Sequence, residues 1–296
     1  MTPRRPALRS SPEGRPIDPA ILTVVLGLAS AAAWGAADFG GGLTGRRAPV
    51  MGVLAAAQAI GAGAALLILI LRGDGVPTLH DTVWAVAAGT CGAIGLAALY
   101  RGLAGGRMGI VAPVTGVLAA AIPVAVGIAL AGLPGPLRIL GFGLGIAAVI
   151  LVSSADDGST GRRGLGLALG AGTALGLYNV AISRASPAGT FGVLVVSRLT
   201  ATGVVLLLAR FGRQPTRLPK RVLPAAAVVG LLDMAGNAAF IVAAQVGRLD
   251  VAGLLSSLYP VTTVILAVVF LGERVTRAHA AGIAVAGAAV ALIALG

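Results

Sequence analysis

A carboxylate and an amide interrupt an otherwise apolar stretch of the chain. Asp233 and Asn237 lie inside the apolar run 222–244, in the segment LLDMAGNAAF. Residues four positions apart share one face of a helix. Arg198 lies in the preceding run, 190–209, and at about 1.5 Å rise per residue its depth is within about 5 Å of that of Asp233 in an antiparallel neighbour. The spacing predicts an Arg198–Asp233 ion pair, with Asn237 on the same helix face.

Two interpretations of this ion pair are open. A charge at the centre of a membrane helix costs about 2.5 to 3.5 kcal/mol on insertion scales, so both groups should face the protein interior and find a partner. On one interpretation, the pair only locks two helices together. On the other, the pair or Asp233 alone faces the path of a solute and changes partner during transport.

A second polar group lies near the end of the first apolar run. In the motif WGAADF, Trp34 and Asp38 are four residues apart and share a helix face. The equivalent position in the sixth run carries Asn179 beside Tyr178. Aromatic and amide groups can bind small organic solutes, and Asp38 could attract an amine or carry a proton. The alternative is that Asp38, close to the end of its helix, only reaches interfacial water.

Two prolines lie inside apolar runs, at positions 123 and 260. A proline has no backbone N–H, and within a helix it frees the carbonyl group four residues earlier. For Pro260 that carbonyl belongs to Ser256, with Ser257 and Tyr259 beside it. Membrane helices tolerate such breaks where polar groups or a cavity satisfy the carbonyl. We therefore expect the helices of Pro123 and Pro260 to bend and line a cavity; a bend with no role in transport is the alternative.

The sequence offers no pattern typical of an enzyme. His80 and His279 lie in or beside loops with no spacing that suggests a metal site, and Cys91 is the single cysteine. No phosphate-binding P-loop and no pair of nucleophile and base is recognisable. We predict a protein that is not an enzyme and needs no cofactor. Coupling to a proton or ion gradient, or facilitated diffusion, is what remains.

The composition indicates that lipid surrounds most of the chain. Of 296 residues, 57% are hydrophobic and 11% are charged, whereas a soluble domain carries about 25% charged residues. The net charge of +12 comes from basic residues that lie mainly between the apolar runs. Such residues meet lipid headgroups, so the charge predicts a bilayer rather than a nucleic acid as partner.

Ten apolar runs are long enough to cross a membrane as helices, for which about 20 residues are needed. We predict ten transmembrane helices after a disordered polar tail, 1–19. The runs are 20–43, 50–71, 83–103, 110–131, 137–154, 164–183, 190–209, 222–244, 249–271 and 277–295.

The runs form two related halves, 20–154 and 164–295. A constant shift of 141 residues matches Gly95 with Gly236 and Asp38 with Asn179. Because each half has five helices, the second crosses the membrane in the opposite sense to the first. Inverted repeats of this kind are the architecture of many secondary transporters, although duplication could also have built a larger bundle without transport.

The repeats carry a family resemblance. The segment GRLDVAGLLSSLYPVTTVILAVVFLGERVTRAHAAGIAVAGAAVALIAL and its partner GRMGIVAPVTGVLAAAIPVAVGIAL resemble the paired repeats of EamA-type proteins in the drug/metabolite transporter superfamily. The Trp34-Gly35 pair and the Gly272-Glu273 pair also match, but the first half lacks its own Gly-Glu pair. Glu273 could equally stabilise the start of the last helix.

The resemblance implies a multi-pass carrier in the cytoplasmic membrane that exports amino acids, other metabolites or toxic compounds through a central cavity between the two halves by alternating access. The alternative is a non-transporting or lipid-handling membrane protein whose polar residues are structural. The resemblance places both termini in the cytoplasm. The cluster of five basic residues between positions 210 and 221 favours the opposite orientation under the positive-inside rule.

Overall fold

The computed structural model describes residues 18–45, 47–104, 108–153, 162–184, 189–271 and 277–295. Over these residues the chain is entirely helical, with eleven α-helices and one short 3-10 helix at Lys220–Val222. Most of the predicted tail and Glu273 lie outside the described residues. The α-helices are α1 Pro19–Gly45, α2 Val50–Arg72, α3 Leu79–Ala104, α4 Met108–Ala131, α5 Pro136–Ser153, α6 Arg162–Ile182, α7 Thr190–Phe211, α8 Leu223–Val246, α9 Leu249–Ser256, α10 Tyr259–Leu271 and α11 Arg277–Leu295.

Within the described residues, six helical segments are long and apolar enough to cross a membrane. They are Pro19–Gly45, Val50–Arg72, Leu79–Leu99, Thr190–Phe211, Lys220–Val246 and Leu249–Phe270. Four shorter apolar stretches lie in the remaining helices: Thr115–Ala131, Pro136–Leu151, Gly166–Ile182 and Ala280–Ile293. Large apolar side chains such as Ile70 and Phe270 are exposed on the outside of the bundle. The chain is a multi-pass membrane protein, because only lipid can cover such a surface without cost.

The ninth apolar segment is two helices rather than one. The chain turns at Ser257 and Leu258, and α10 begins at Tyr259. Pro260 therefore lies in the first turn of α10, where the N–H that proline lacks would have had no partner within the helix. The Ser257 hydroxyl donates to the carbonyl of Gly253 at 2.7 Å. In contrast, α4 runs through the buried Pro123 without interruption.

The helices pair in a regular pattern. α1 packs against α8, α3 against α6, α2 against α7, and α5 against α11. α4 packs against α6 and α9, while α1 also packs against α9 and α10. Small residues permit the closest approaches. A Cβ atom at Gly35 would lie 2.5 Å from the carbonyl oxygen of Tyr259, and one at Gly176 would lie 3.0 Å from that of Leu118.

Candidate functional site

A cavity of about 90 Å³ lies at the centre of the bundle. Helices from both halves of the chain contribute to its wall, and three of its polar residues, Arg198, Asp233 and Asn237, lie near the middle of α7 and α8. The lining residues are Trp34, Asp38, Gln58, Gly89, Gly92, Leu96, Leu99, Ala119, Leu175, Tyr178, Asn179, Ser197, Arg198, Ala201, Asp233, Asn237, Ser257 and Tyr259.

The ion pair predicted from helix depth is present in the wall of this cavity. Nη1 of Arg198 donates to Oδ2 of Asp233 and also to Oε1 of Gln58. The Arg198 side chain is 4% exposed, whereas that of Asp233 is 25% exposed. The guanidinium is thus buried in the bundle, and the carboxylate keeps an open side.

An amide extends the pair to a further helix of the same half of the chain. Nδ2 of Asn237 donates to the backbone carbonyl of Asp233 at 2.6 Å and to its Oδ1 at 3.2 Å. The hydroxyl of Tyr178 donates to Oδ1 of Asn237. A continuous polar chain therefore runs from Tyr178 on α6, through Asn237, Asp233 and Arg198, to Gln58 on α2.

One donor of this chain is unused. Nη2 of Arg198 is buried and has no hydrogen-bond partner among the described residues. Burying a donor without a partner costs about 1 to 3 kcal/mol. Groups of this kind in a cavity wall are candidates for binding a ligand.

Asp38 is the second group without a partner. Its side chain is half-buried and faces the cavity, yet it makes no hydrogen bond or ion pair within the described part of the chain. Asp38 and Asp233 line the same cavity. Trp34, one turn earlier on α1, packs against Phe240 with ring centroids 5.7 Å apart.

Nine of the ten residues predicted to line a solute path lie around this one cavity. They are Trp34, Asp38, Tyr178, Asn179, Arg198, Asp233, Asn237, Ser257 and Tyr259. Ser256 is the exception: it is fully buried, and its hydroxyl donates to the carbonyl of Gly27 at 3.4 Å. Sequence reasoning missed Gln58 and Ser197. Gln58 could have been found, because an amide inside an apolar run is as unusual as Asn237.

A second Arg–Asp pair lies away from the cavity, where α9 begins. Nη2 of Arg248 binds Oδ2 of Asp250 at 2.7 Å. The same guanidinium donates to the carbonyl groups of Ala131 and Gly132 at the end of α4, at 3.3 and 2.7 Å. The hydrogen bond to Asp250 raises the pKa of the Arg248 guanidinium above its ordinary value. Arg248 therefore joins the two helices as a permanent cation.

The described residues hold no group of three or more His, Cys, Asp or Glu side chains placed to bind a metal ion. What the wall offers is one partnered cation, two carboxylates, amides, hydroxyl groups and aromatic rings. This combination can bind a polar organic molecule by hydrogen bonds and charge. A bundle of apolar helices around such a cavity defines a class, that of multi-pass membrane proteins with an internal polar site.

Comparison with known proteins finds a family model that matches the second half of the chain. Residues 162–295 match the family model described as "EamA-like transporter family". The resemblance to EamA-type proteins of the drug/metabolite transporter superfamily is confirmed over these residues, which are a little under half of the chain.

Two relatives extend the comparison. A curated protein of Streptantibioticus cattleyicolor, named "Probable terminal-alkyne amino-acid exporter", is 41% identical over 110 residues, which cover 35% of this chain and 36% of that protein. The match thus spans little more than a third of the relative. One crystal structure of a protein aligns over 91% of this chain and 95% of its own, with 19% identity and a TM-score of 0.72. At that identity the alignment shows a shared fold.

Proposed function

We propose that the chain is a secondary transporter that exports a small metabolite, amino acid or drug-like solute across the cell membrane. The observation that carries the proposal is the central cavity, which is lined from both halves and contains buried charges with unused hydrogen-bonding capacity. A protein that used its polar residues only for packing would have no reason to leave them unsatisfied. The family match favours a transporter over an enzyme, and the name of the S. cattleyicolor relative favours export of an amino-acid-like solute.

We further propose that the fold is ten membrane spans in two inverted five-helix repeats. Pairs of close contacts related by the shift of 141 residues support this. Gly35 approaches the Tyr259 carbonyl as Gly176 approaches that of Leu118, and each partner is 141 positions from its equivalent.

A second pair of contacts obeys the same shift. Gly236 makes room for the Trp34 ring, and Gly95 makes room for Leu175; a Cβ atom would lie 2.6 and 2.8 Å from these side chains. The helix packing follows the same shift. α1 packs against α8, and the equivalent helices, α6 and α3, also pack against each other. Two halves that make the same contacts with each other are the arrangement expected to rock around a central site.

The size of the cavity supports a rocking motion. Ligand pockets usually enclose about 300 to 1,000 Å³, whereas this cavity has about 90 Å³. A solute larger than a few water molecules requires the halves to separate. We expect the α4–α9 contact to open on one face of the membrane as the cavity fills, with a proton or ion gradient as a candidate for the driving force.

Export can be tested by comparing the metabolites in the medium of cells that express the wild type, Asp233→Asn or Asp74→Asn. Asp74 is a matched control, because it also pairs with an arginine, at 2.9 Å, and its side chain is 23% exposed, but it lies outside the cavity. We expect one or more solutes to accumulate in the medium with the wild type and with Asp74→Asn, and to be lost with Asp233→Asn at equal amounts of folded protein.

Two results would contradict these proposals. Normal export by a well-expressed Asp233→Asn variant would remove Asp233 from the mechanism. A wild type that changes no solute in the medium of any strain tested, including one exposed to toxic amino-acid analogues, would favour the non-transporting alternative.

A further inference from the structure

A strongly basic loop, 212–222, joins α7 and α8 at one end of the bundle. The segment 210–223 contains no aspartate or glutamate. Its basic side chains are all exposed, and none makes an ion pair within the described residues. Like charges held close together repel one another, so a partner of opposite charge would stabilise this end of the protein. The basic residues are Arg210, Arg213, Arg217, Lys220 and Arg221.

At the opposite end of the bundle, the protein supplies counter-ions of its own. Arg72, at the end of α2, pairs with Asp74 at 2.9 Å, and Arg248 pairs with Asp250 at 2.7 Å. The loop 212–222 has no such partner in its own sequence, so its counter-ion must come from elsewhere.

The loop is held in place by the start of α2. A Cβ atom at Gly52 would lie 2.5 Å from the carbonyl oxygen of Thr216 and 3.0 Å from Cδ2 of Leu218. Val222, where the loop meets α8, is buried. The basic side chains therefore extend from a backbone that is packed against the bundle.

One residue of the loop has a backbone conformation that favours glycine. Arg213 has a φ of 50° and is the one non-glycine residue with a positive φ among those that the structure describes. In this left-handed region the Cβ atom crowds the backbone. The N–H of Arg213 donates to the carbonyl of Arg210 at 3.3 Å, and that of Gln214 donates to Ala209 at 2.8 Å. These two bonds form a common turn at helix C-termini, in which glycine is the usual residue.

The turn at the end of α2 makes the same two bonds with a glycine. Gly73 has a φ of 66° and donates to the carbonyl of Ile70, and Asp74 donates to that of Leu69. A glycine would therefore suit the turn after α7 as well. An arginine in this unfavourable conformation points to a function for its side chain.

Large apolar side chains are exposed beside the charged loop. Phe211, the last residue of α7, is 81% exposed, and Leu223, the first residue of α8, is 48% exposed. A soluble anion gains nothing from such a surface. A phospholipid offers acyl chains to the apolar residues and a phosphate group to the basic ones, and the planar guanidinium of arginine matches phosphate well.

We propose that the loop 212–222 is a binding site for anionic phospholipids, with lipid phosphate groups on its basic side chains, Arg213 among them, and acyl chains against Phe211 and Leu223. The inference does not depend on the proposed transport function. A zwitterionic lipid is a poorer ligand, because its own cationic group already compensates the phosphate and is repelled by the loop.

The first test compares two lipids that share their acyl chains: phosphatidylglycerol, which is anionic, and phosphatidylcholine, which is zwitterionic. Binding of each lipid to the full chain in detergent is titrated by native mass spectrometry, which counts the lipids bound. Phosphatidylglycerol should bind at least about 5-fold more tightly, and the difference should shrink as the ionic strength rises. Equal affinity for the two lipids at low ionic strength would overturn the proposal.

The second test changes Arg213 itself. Arg213→Gly should raise Kd for phosphatidylglycerol about 5-fold and leave that for phosphatidylcholine unchanged, whereas Arg213→Lys keeps the charge and should retain most of the affinity. Arg184→Gln is the matched control, because Arg184 is also exposed but lies between α6 and α7, at the opposite end of the bundle. Equal losses in Arg213→Gly and Arg184→Gln would mean that only the net charge matters, and the site assignment would be refuted.

Thermal unfolding distinguishes a lipid site from a structural role of Arg213. Without lipid, Arg213→Gly should unfold about 2 °C above the wild type, because glycine suits the left-handed conformation. Phosphatidylglycerol should raise the unfolding temperature of the wild type more than that of Arg213→Gly. A lower unfolding temperature of Arg213→Gly without lipid would mean that the arginine stabilises the loop itself, and the inference from its conformation would fall.

Inorganic phosphate serves as the soluble probe in the same unfolding measurement. At the concentration at which phosphatidylglycerol stabilises the wild type, phosphate should have no effect. Equal stabilisation by phosphate would mean that the loop binds a soluble anion, and the assignment to a phospholipid would be wrong.

Discussion

Within the described residues, two Arg–Asp pairs, each with one partner that is almost fully buried, differ in character. In the pair at the start of α9, Nε, Nη1 and Nη2 of Arg248 all have partners, and the Asp250 side chain is fully buried. In the pair at the cavity, Nη2 of Arg198 is unused and the Asp233 side chain is 25% exposed. The same two residue types thus form a pair with all its donors satisfied in one place and a pair with an unsatisfied donor in the other.

The difference follows from where the partners come from. Arg248 and Asp250 are two residues apart, and the carbonyl groups at the end of α4 complete the set of acceptors. Arg198 and Asp233 lie on separate helices beside the cavity, and Nη2 of Arg198 finds no acceptor within the described residues. A fully satisfied pair can only stabilise the fold, whereas an incompletely satisfied pair can also bind a ligand.

Removing one partner of the Arg198–Asp233 pair should have the largest effect on the stability of the protein. Asp233→Leu leaves Arg198 buried without a counter-ion, so the free energy of unfolding should fall by about 3 to 5 kcal/mol. The double variant Arg198→Met/Asp233→Leu should recover most of this loss of stability but should not export the solute. Thermal unfolding of the detergent-solubilised protein, followed by tryptophan fluorescence, measures the stability of both variants. A single variant as stable as the wild type would contradict the pair's role in the fold.

Breaking the pair at α9 should cost less and should spare the site. Arg248→Gln leaves Asp250 buried without its cation, so we expect a loss of about 1 to 3 kcal/mol in the same unfolding measurement. Because the raised pKa keeps Arg248 charged until strongly alkaline pH, the loss should not change across the neutral range. Export of the solute should be unchanged, and a change would mean that the Arg248–Asp250 pair also shapes the cavity.

Removing the amide that extends the central pair should have a smaller effect. Asn237→Ala eliminates the hydrogen bonds to Asp233 and Tyr178 and should lower the free energy of unfolding by about 1 kcal/mol. Asn179→Ala is the matched control, since Asn179 lines the same cavity but its side chain makes no hydrogen bond within the described residues. Equal losses in the two variants would show that Asn237 adds nothing beyond packing.

The smallest effect on stability is expected at Asp38. Asp38 makes no hydrogen bond or ion pair within the described part of the chain, so the unfolding free energy of Asp38→Asn should lie within about 0.5 kcal/mol of the wild type or above it, while export of the solute falls. A clear loss of stability would mean that Asp38 has a structural partner. Asp38 would then be a residue that stabilises the fold, as the pair at the start of α9 does.

Much of this architecture could be predicted from the sequence. The helix positions follow from the apolar runs, because backbone groups in lipid must be paired within a helix. The Arg198–Asp233 pair follows from depth alone, since a long side chain tolerates errors of several ångströms. The turn at Ser257 and Leu258 was expected only as a bend, because a proline marks the neighbourhood of a break and not its register.

Other features required the structure. The bond from Arg198 to Gln58 joins residues on α7 and α2, and the bond from Tyr178 to Asn237 joins α6 and α8. Such contacts depend on the rotation of each helix about its axis, which neighbouring helices determine. The size of the cavity depends on the same rotations. The depth of a residue in the membrane can be predicted from the sequence, whereas the direction in which its side chain points can be predicted only in part.

Gly92 shows how two related halves can come to differ. It stands on α3 where α8 has Asp233, and a Cβ atom there would lie 3.0 Å from the Tyr178 ring. The missing side chain leaves room for the ring whose hydroxyl group holds Asn237. Under the proposed repeat, the first copy has evolved a glycine that leaves space at this position, and the second copy has evolved a charged side chain. Recombination that replaced either copy with the other would therefore produce a bundle with two voids or with two crowded carboxylates, and in neither case a working site.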